Sequence, residues 1–386
     1  MRPRTTGDGT RAVHAAGSPR PEVRTVNPAI QRGSTLLASK ASALYDGSEV
    51  TYGRAGLPIH EALCEALAEM EGAVGTRLFP SGLASLTGAL LAVLKTGDEV
   101  LVVDCVYDPT RRFCNTLLRR FGVTTRYVDP CGDIVGQASE ATRVILLESP
   151  GSLTFEIQDL QAIAKAARAR NIITIADTTW SAGLIHKPLA LGVDISVQAL
   201  TTYVGGHADL FMGAASTRDP GLLKKLDDQI LQLGWATSPD DAYLMLRGVR
   251  TLPTRLARHG ESAVRIAQWL AEREEVLEVL CPALPSARGH ELWRRDYTGT
   301  NGLLTMVLKP SPEKAVLAFL DALKLFGLGF SWGGYESLAI HCEPQLKHRV
   351  LKVEYPGPLV RLHVGLEDPD DLIEDLRGGL AALAAA

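Results

Sequence analysis

The 386 residues predict an α/β fold, with a mostly parallel sheet in a large domain followed by a smaller α+β domain. Two observations carry this. Short apolar runs alternate with helical stretches between Ile59 and Ala199, and shorter strand-like runs mix with helices after residue 275. A long helical segment from about Asp240 to Glu275, with a bend expected near Pro253, joins the two halves.

The elements follow in order. Residues 1–22 are rich in Arg, Thr, Gly, Ala and Pro and lack apolar periodicity, so they read as a mobile leader. Residues 23–58 hold turn formers and short apolar stretches and read as an extended arm, which needs a surface to lie against. Ile59, Leu63, Leu67 and Met70 share one helix face, and a second apolar helix runs from Leu83 to Leu94. Then come Glu99–Val103 as strand, Thr110–Phe121 as helix, Thr124–Val128 and Arg143–Leu147 as strands, Leu160–Ala169 as helix, and Ile172–Ala176 and Asp194–Ala199 as strands. Gly302–Leu308 and Leu359–Val364 read as strands of the second domain, and Pro312–Leu323 and Pro369–Leu383 as its helices. The domain division expected is 59–247 for the large domain and 248–386 for the small one with its linker helix.

Composition narrows the class. Hydrophobic content of 46% and charged content of 22% suit a globular chain with a large core, and a formal net charge of −4 gives no reason to expect nucleic acid or an anionic membrane as partner. No run approaches the ~18 apolar residues of a membrane span, and residues 1–22 lack a signal-peptide core. A cytoplasmic protein is expected. Six cysteines (Cys64, Cys105, Cys114, Cys131, Cys281 and Cys342) form no Cys-x-x-Cys pair, and the nine histidines lack metal-ligand spacing. Reduced thiols and no metal follow.

Several residues invite chemistry, each with a plainer alternative. Ser81-Gly82-Leu83 opens a helix after a tight turn, which suits a phosphate dianion or merely an N-cap. Asp177 ends an apolar strand, where a carboxylate faces a ligand crevice or caps a turn. Arg361 sits in a strand between apolar neighbours and needs an anion, either a bound carboxylate or a structural partner. Tyr107 is by default a core or surface aromatic.

A series of segments then points to one family: Tyr52-Gly53-Arg54, Phe79 to Leu83, Tyr107-Asp108-Pro109, Glu148 to Ser152, Asp177 to Trp180, Pro282 to Pro285, Ser331 to Ser337 and Arg361 to Asp368. From about Val23 to Leu383 the chain resembles the Cys/Met-metabolism family of pyridoxal-phosphate enzymes, and within it the cystathionine β-lyase branch. The resemblance implies fold type I and pyridoxal 5'-phosphate as cofactor. It also implies an amino-acid substrate and a homo-oligomer, dimer or tetramer, with sites shared between subunits. It assigns Ser81, Gly82, Leu83 and Thr201 to the cofactor phosphate, with Tyr52 and Arg54 reaching it from a neighbouring subunit. Tyr107 would stack on the ring and stand near proton transfer, Asp177 would pair with the ring nitrogen, and Arg361 would clamp the substrate carboxylate beside Ser331 and Trp332. The Trp form of that last loop is closer to β-lyases than to γ-acting relatives. His207 reads as structural.

One position departs from the pattern. The segment Thr201-Thr202-Tyr203-Val204-Gly205-Gly206-His207-Ala208-Asp209 is similar to the family's cofactor-lysine loop, but Thr202 fills the lysine slot and Ala208 replaces the usual Ser. A hydroxyl cannot form a Schiff base, so the cofactor is expected to bind non-covalently or as an external aldimine. Three explanations stand: an engineered Lys→Thr trap, natural divergence to another base or cofactor form, and a binding protein that has lost catalysis. The chemistry implied is carbon–sulfur cleavage at Cβ. The alternatives are γ-substitution or carbon–carbon bond formation, and a silent cofactor-binding homologue.

Overall fold

A computed structural model describes residues 7–14 and 25–386. Seven strands form the first sheet: β1 (Gly75–Phe79), β2 (Glu99–Val103), β3 (Thr124–Val128), β4 (Thr142–Glu148), β5 (Ile173–Asp177), β6 (Ile195–Ala199) and β7 (Gly213–Thr217). Their spatial order is β1-β7-β6-β5-β4-β2-β3, and β7 alone runs against its neighbours. Five more strands, β8 (Val276–Leu280), β9 (Leu303–Leu308), β10 (Gly327–Leu328), β11 (Leu338–His341) and β12 (Leu359–His363), form a second sheet in the order β10-β11-β12-β9-β8.

The helices are α1 (Asp8–His14), α2 (Pro58–Glu71), α3 (Gly82–Val93), α4 (Asp108–Phe113), α5 (Leu160–Ala169), α6 (Pro220–Leu233), α7 (Pro239–Ala271), α8 (His290–Asp296), α9 (Glu313–Ala322), α10 (Glu343–Leu346) and α11 (Pro369–Ala385). Their starts are written locally. Asp219, Ser238 and Asp368 each accept backbone N–H bonds as N-caps and are each followed by Pro at the first helical position, where a missing N–H costs nothing. Among the described residues no helix is long and apolar enough to cross a membrane, and no cluster could hold a metal.

Alternation along β6 separates two environments. Ile195 and Val197 enter the core shared with α3 and α5, whereas Ser196 and Gln198 point the other way to meet Glu71 at the end of α2. That alternation places polar groups inside. Glu71 is 1% exposed, accepts from Ser196 Oγ and Gln198 Nε2, and lies near Lys187.

The expected elements recur with three corrections. The leader is not wholly without structure, because α1 lies at Asp8–His14, buries Ala12 in the core formed by α2 and α7, and ties Asp8 to Lys187 at 3.4 Å. Residues 1–6 and 15–22, with Val23 and Arg24, lie outside the described residues. The helix expected at Thr110–Phe121 begins earlier, at Asp108, and loosens into a π turn over Cys114–Leu118. The long linker helix ends at Ala271 rather than Glu275 and runs through Pro253, so the 247/248 division falls inside one helix. Residues 25–58 of the arm follow their own chain, where Arg32 pairs with Asp240 and Arg250 reaches Asn27 at the start of α7 and along it.

Burial pushes Glu71 up to about 7. A carboxyl whose pKa is raised on folding contributes stability that is full below its unfolded value and lost as pH rises through the folded one. Glu71→Gln keeps the hydrogen-bonding shape without the charge. In denaturant titrations the variant is expected to gain on the native chain as pH passes from about 4.5 to above about 7, by up to roughly 3 kcal/mol. A pH-independent difference would contradict the assignment.

Candidate active site

The carboxyl ends of β4, β5 and β6 lie side by side and deliver most of the singled-out residues to one place. Asp177 closes β5, and its Oδ1 accepts from the backbone N–H and hydroxyl of Thr179, at 3.0 and 2.6 Å. Thr179 Oγ1 in turn accepts from the N–H of Ala199 at the end of β6 (2.9 Å), so the carboxylate is braced against the next strand. Loss of hydration raises its pKa while the Thr179 bonds lower it, and among the described residues no cation pairs with it.

Ser81 caps α3 by accepting from Ala84 N–H at 3.1 Å, which leaves the N–H groups of Gly82 and Leu83 without partners inside the helix. Gly82 packs so closely on β6 that a Cβ there would stand 2.3 Å from Ala199 Cβ. Only glycine allows this approach, and it sets the α3 amides beside the strand end, where an anion is stabilised.

Beyond β6 the chain turns through Thr201 and Thr202. Thr201 Oγ1 donates to Met212 C=O (3.2 Å) and accepts from Met212 N–H (3.1 Å), so in this structure it fastens the loop before β7. Thr202 is 5% exposed and donates its hydroxyl to Ala199 C=O at 2.9 Å. Gly333 lies directly over it, since a Cβ on Gly333 would fall 2.7 Å from Thr202 carbonyl carbon. His207 bonds only its own turn, through Nδ1 and Gly205 C=O at 2.8 Å, and Ala208 takes a positive φ of 55° against Gly334.

The loop carrying Gly333 comes from the second sheet. Arg361 on β12 donates through Nη2 to Ser331 C=O (2.9 Å), and His363, two residues on along the same face, accepts from Gly333 N–H through Nε2 at 3.1 Å. Ser331 is held at a φ of +69°, and Trp332 packs on the ring of Tyr203 with centroids 5.2 Å apart. Arg361 is 7% exposed, its Nε has no partner, and no carboxylate among the described residues neutralises it. Tyr107 opens α4 and is 46% exposed; loss of hydration raises its phenol, Glu148 and Asp177 raise it further and Arg361 lowers it, so these three groups lie near its ring.

Two residues stay apart. Arg54 donates to Leu231 C=O in the last turn of α6 at 3.0 Å and stacks on Tyr52, itself 50% exposed. Motif reading also passed over Glu148, whose carboxylate contacts the Tyr107 backbone and is the β-sheet neighbour of Asp177. Its place within the Glu148-Ser149-Pro150 run was the available signal.

An unpaired carboxylate, an unpaired guanidinium, an open helix N-terminus and an aromatic ring on one sheet edge define a site for an anionic, ring-bearing cofactor and a zwitterion. The model of the Cys/Met metabolism PLP-dependent enzymes matches residues 9–381, and the chain belongs to that family, whose cofactor is pyridoxal phosphate. It is 40% identical over 388 residues to cystathionine β-lyase MetC of Escherichia coli, covering 97% of this chain and 98% of the relative. Identity is 43% to a putative cystathionine β-lyase of Rhizobium johnstonii, over 98% and 97% of the two chains. A cystathionine γ-synthase structure from Xanthomonas oryzae, in complex with cystathionine, superposes with a TM-score of 0.91 at 31% identity over the full length of both chains. The chain is thus a cystathionine β-lyase-like, fold-type-I member.

Asp177→Asn and Arg361→Ala are expected to fail differently. The first should lower cofactor retention and change its absorbance, because the ring loses its charged partner. The second should spare cofactor alone and weaken α-amino-acid capture at least about tenfold, as loss of a charged hydrogen-bonding pair does. Titration of cofactor and of amino acid into each variant separates the two, and equal cofactor loss in both would contradict the assignments.

Proposed function

We propose that this site captures pyridoxal phosphate without a covalent tether, together with an α-amino acid. The chemistry proposed is carbon–sulfur cleavage at Cβ, as in cystathionine β-lyases. The observation that carries this reading is a pair of unneutralised groups, the part-buried Asp177 and the buried Arg361, around Tyr107 at a strand end that offers Thr202 in place of lysine.

When bound, the cofactor supplies an electron sink for charge developing at the amino-acid Cα. The chain's residues hold and orient. The α3 amides and Ser81 would hold the phosphate, Asp177 would keep the ring nitrogen protonated, and Arg361 with Ser331 and Trp332 would fix the substrate carboxylate. Tyr107 would lie along the ring. Burial and its acidic neighbours raise its phenol, so at neutral pH it holds its proton and can donate rather than accept. Thr202 spends its hydrogen on Ala199 C=O and is too weak a base to move a Cα proton. Neither replaces a lysine amine.

Borohydride treatment of the loaded protein followed by peptide mapping is expected to leave residue 202 unmodified. Thr202→Lys should become labelled there, gain a new visible absorbance band, and turn over β-thio amino acids about 10²–10⁴-fold faster, the scale of one proton-transfer group. A stoichiometric adduct at another lysine of the native chain would overturn the untethered reading. A Thr202→Lys variant that binds cofactor but stays inert would favour a binding protein over an enzyme.

The arm supports a second part of the reading, namely that two copies complete each site. Tyr52 and Arg54 lie on the surface, away from the pocket of their own chain, and a neighbouring copy would bring them to the phosphate. Mixing Arg54→Ala subunits with Asp177→Asn subunits should therefore restore cofactor capture that each variant alone lacks. A monomer with undiminished cofactor affinity would refute sharing.

A further inference from the structure

Glu148 ends β4, and in the sheet register it faces Asp177 at the end of β5. Neighbouring parallel strands lie about 4.8 Å apart, so the two carboxyls share one small volume. On its other side Glu148 Oε2 accepts the backbone N–H of Tyr107 at 2.7 Å. Tyr107 is the N-cap of α4, and its own side chain makes no capping bond. The turn that presents its ring is therefore held from outside, by this carboxyl.

The surroundings of Glu148 are lopsided in charge. Asp177 on β5 and Glu156 on the loop after β4 both raise its pKa, on top of the loss of hydration, while the Tyr107 N–H and Arg349 lower it. Arg349 is already paired with Glu156 at 2.8 Å, and Cys105, whose thiol lies 3.7 Å from the Glu148 carbonyl oxygen, is itself held neutral by burial. Among the described residues no cation is paired with Glu148 or with Asp177. Two adjacent carboxyls without a cation between them await one.

We propose that Glu148 is a positioning residue of the cofactor site, fixing the Tyr107 turn and placing a second negative charge beside Asp177 for a cationic ring. The proposal rests on the pyridoxal-phosphate reading of the pocket. Loss of hydration first, and the charge of Asp177 second, favour the protonated form of Glu148, and a cationic ring held at Asp177 would weaken that preference. With the cofactor bound, Glu148 would lose its proton more readily: the O–H bond would break, the electron pair would stay on the carboxylate and the proton would pass to solvent. Binding that releases a proton strengthens as pH rises. The cofactor phosphate titrates as well, but equally in every variant, so the difference between variants isolates Glu148.

Pyridoxal phosphate affinity of the full-length native chain, Glu148→Gln and Glu148→Ala is measured by fluorescence from about pH 6 to about pH 9, with circular dichroism of each variant. Glu148→Ala is expected to bind at least about tenfold more weakly, having lost a hydrogen bond to a charged acceptor and the turn it holds. Glu148→Gln, whose carboxamide oxygen still accepts from Tyr107 N–H, should recover most of that loss at low pH but lack the native gain in affinity as pH rises. Native-like binding by Glu148→Ala, or a native pH slope in Glu148→Gln, overturns the proposal alone. Failure of the native chain to bind the cofactor at any pH overturns the pocket reading and the proposal with it.

Discussion

Arg361 and Asp177 are the constraint on which the site depends. Each is an ionisable group that its own fold removes from water, Arg361 almost wholly and Asp177 in part, without supplying a counter-charge, which is costly. The surrounding structure is arranged to keep them where they are. Thr179 braces Asp177 against β6, while β12 brings Arg361 across from the second sheet and anchors the Ser331 loop through it. A ligand with a cationic ring at one end and a carboxylate at the other resolves both charges together.

The end of β6 sits between these charges and is crowded by backbone on both sides. Gly82 of α3 approaches Ala199 at that end, and Gly333 of the second sheet's loop approaches Thr202 and Tyr203 just beyond it, both closer than any side chain allows. Such tight backbone packing supports a precise pocket but leaves Thr202 little freedom, and its hydroxyl is already committed to Ala199. The loss of lysine therefore removes a nucleophile and proton carrier while the frame that aims at the cofactor persists.

Most of the fold was legible in sequence. Glu99–Val103, Thr124–Val128 and Leu160–Ala169 have the same bounds as expected, because the apolar run Val100–Val103, the β-branched and aromatic residues of Thr124–Val128 and a helix opened by Asp159 are strong local signals. The edge strand β1 and the antiparallel β7 were missed. Gly75–Phe79 and Gly213–Thr217 lack the β-branched apolar runs that mark the central strands, and they become strands only because they pair with each other and with β6. The short helix α1 was also hidden, since its single buried contact, Ala12, is an interaction with distant α2 and α7 rather than a periodic face.

The sequence by itself determined the class of fold, the family pattern and the absence of a Schiff-base lysine, because these reside in residue identity and short-range periodicity. Only the tertiary structure decided which charges lack partners, that Thr201 and Thr202 spend their hydroxyls on the backbone, that Arg54 meets Tyr52 and the last turn of α6, and that Glu148 joins Tyr107 to Asp177. These properties depend on residues tens to hundreds of positions apart meeting in space. Hydrogen bonding and desolvation act on that meeting, and no local pattern records it.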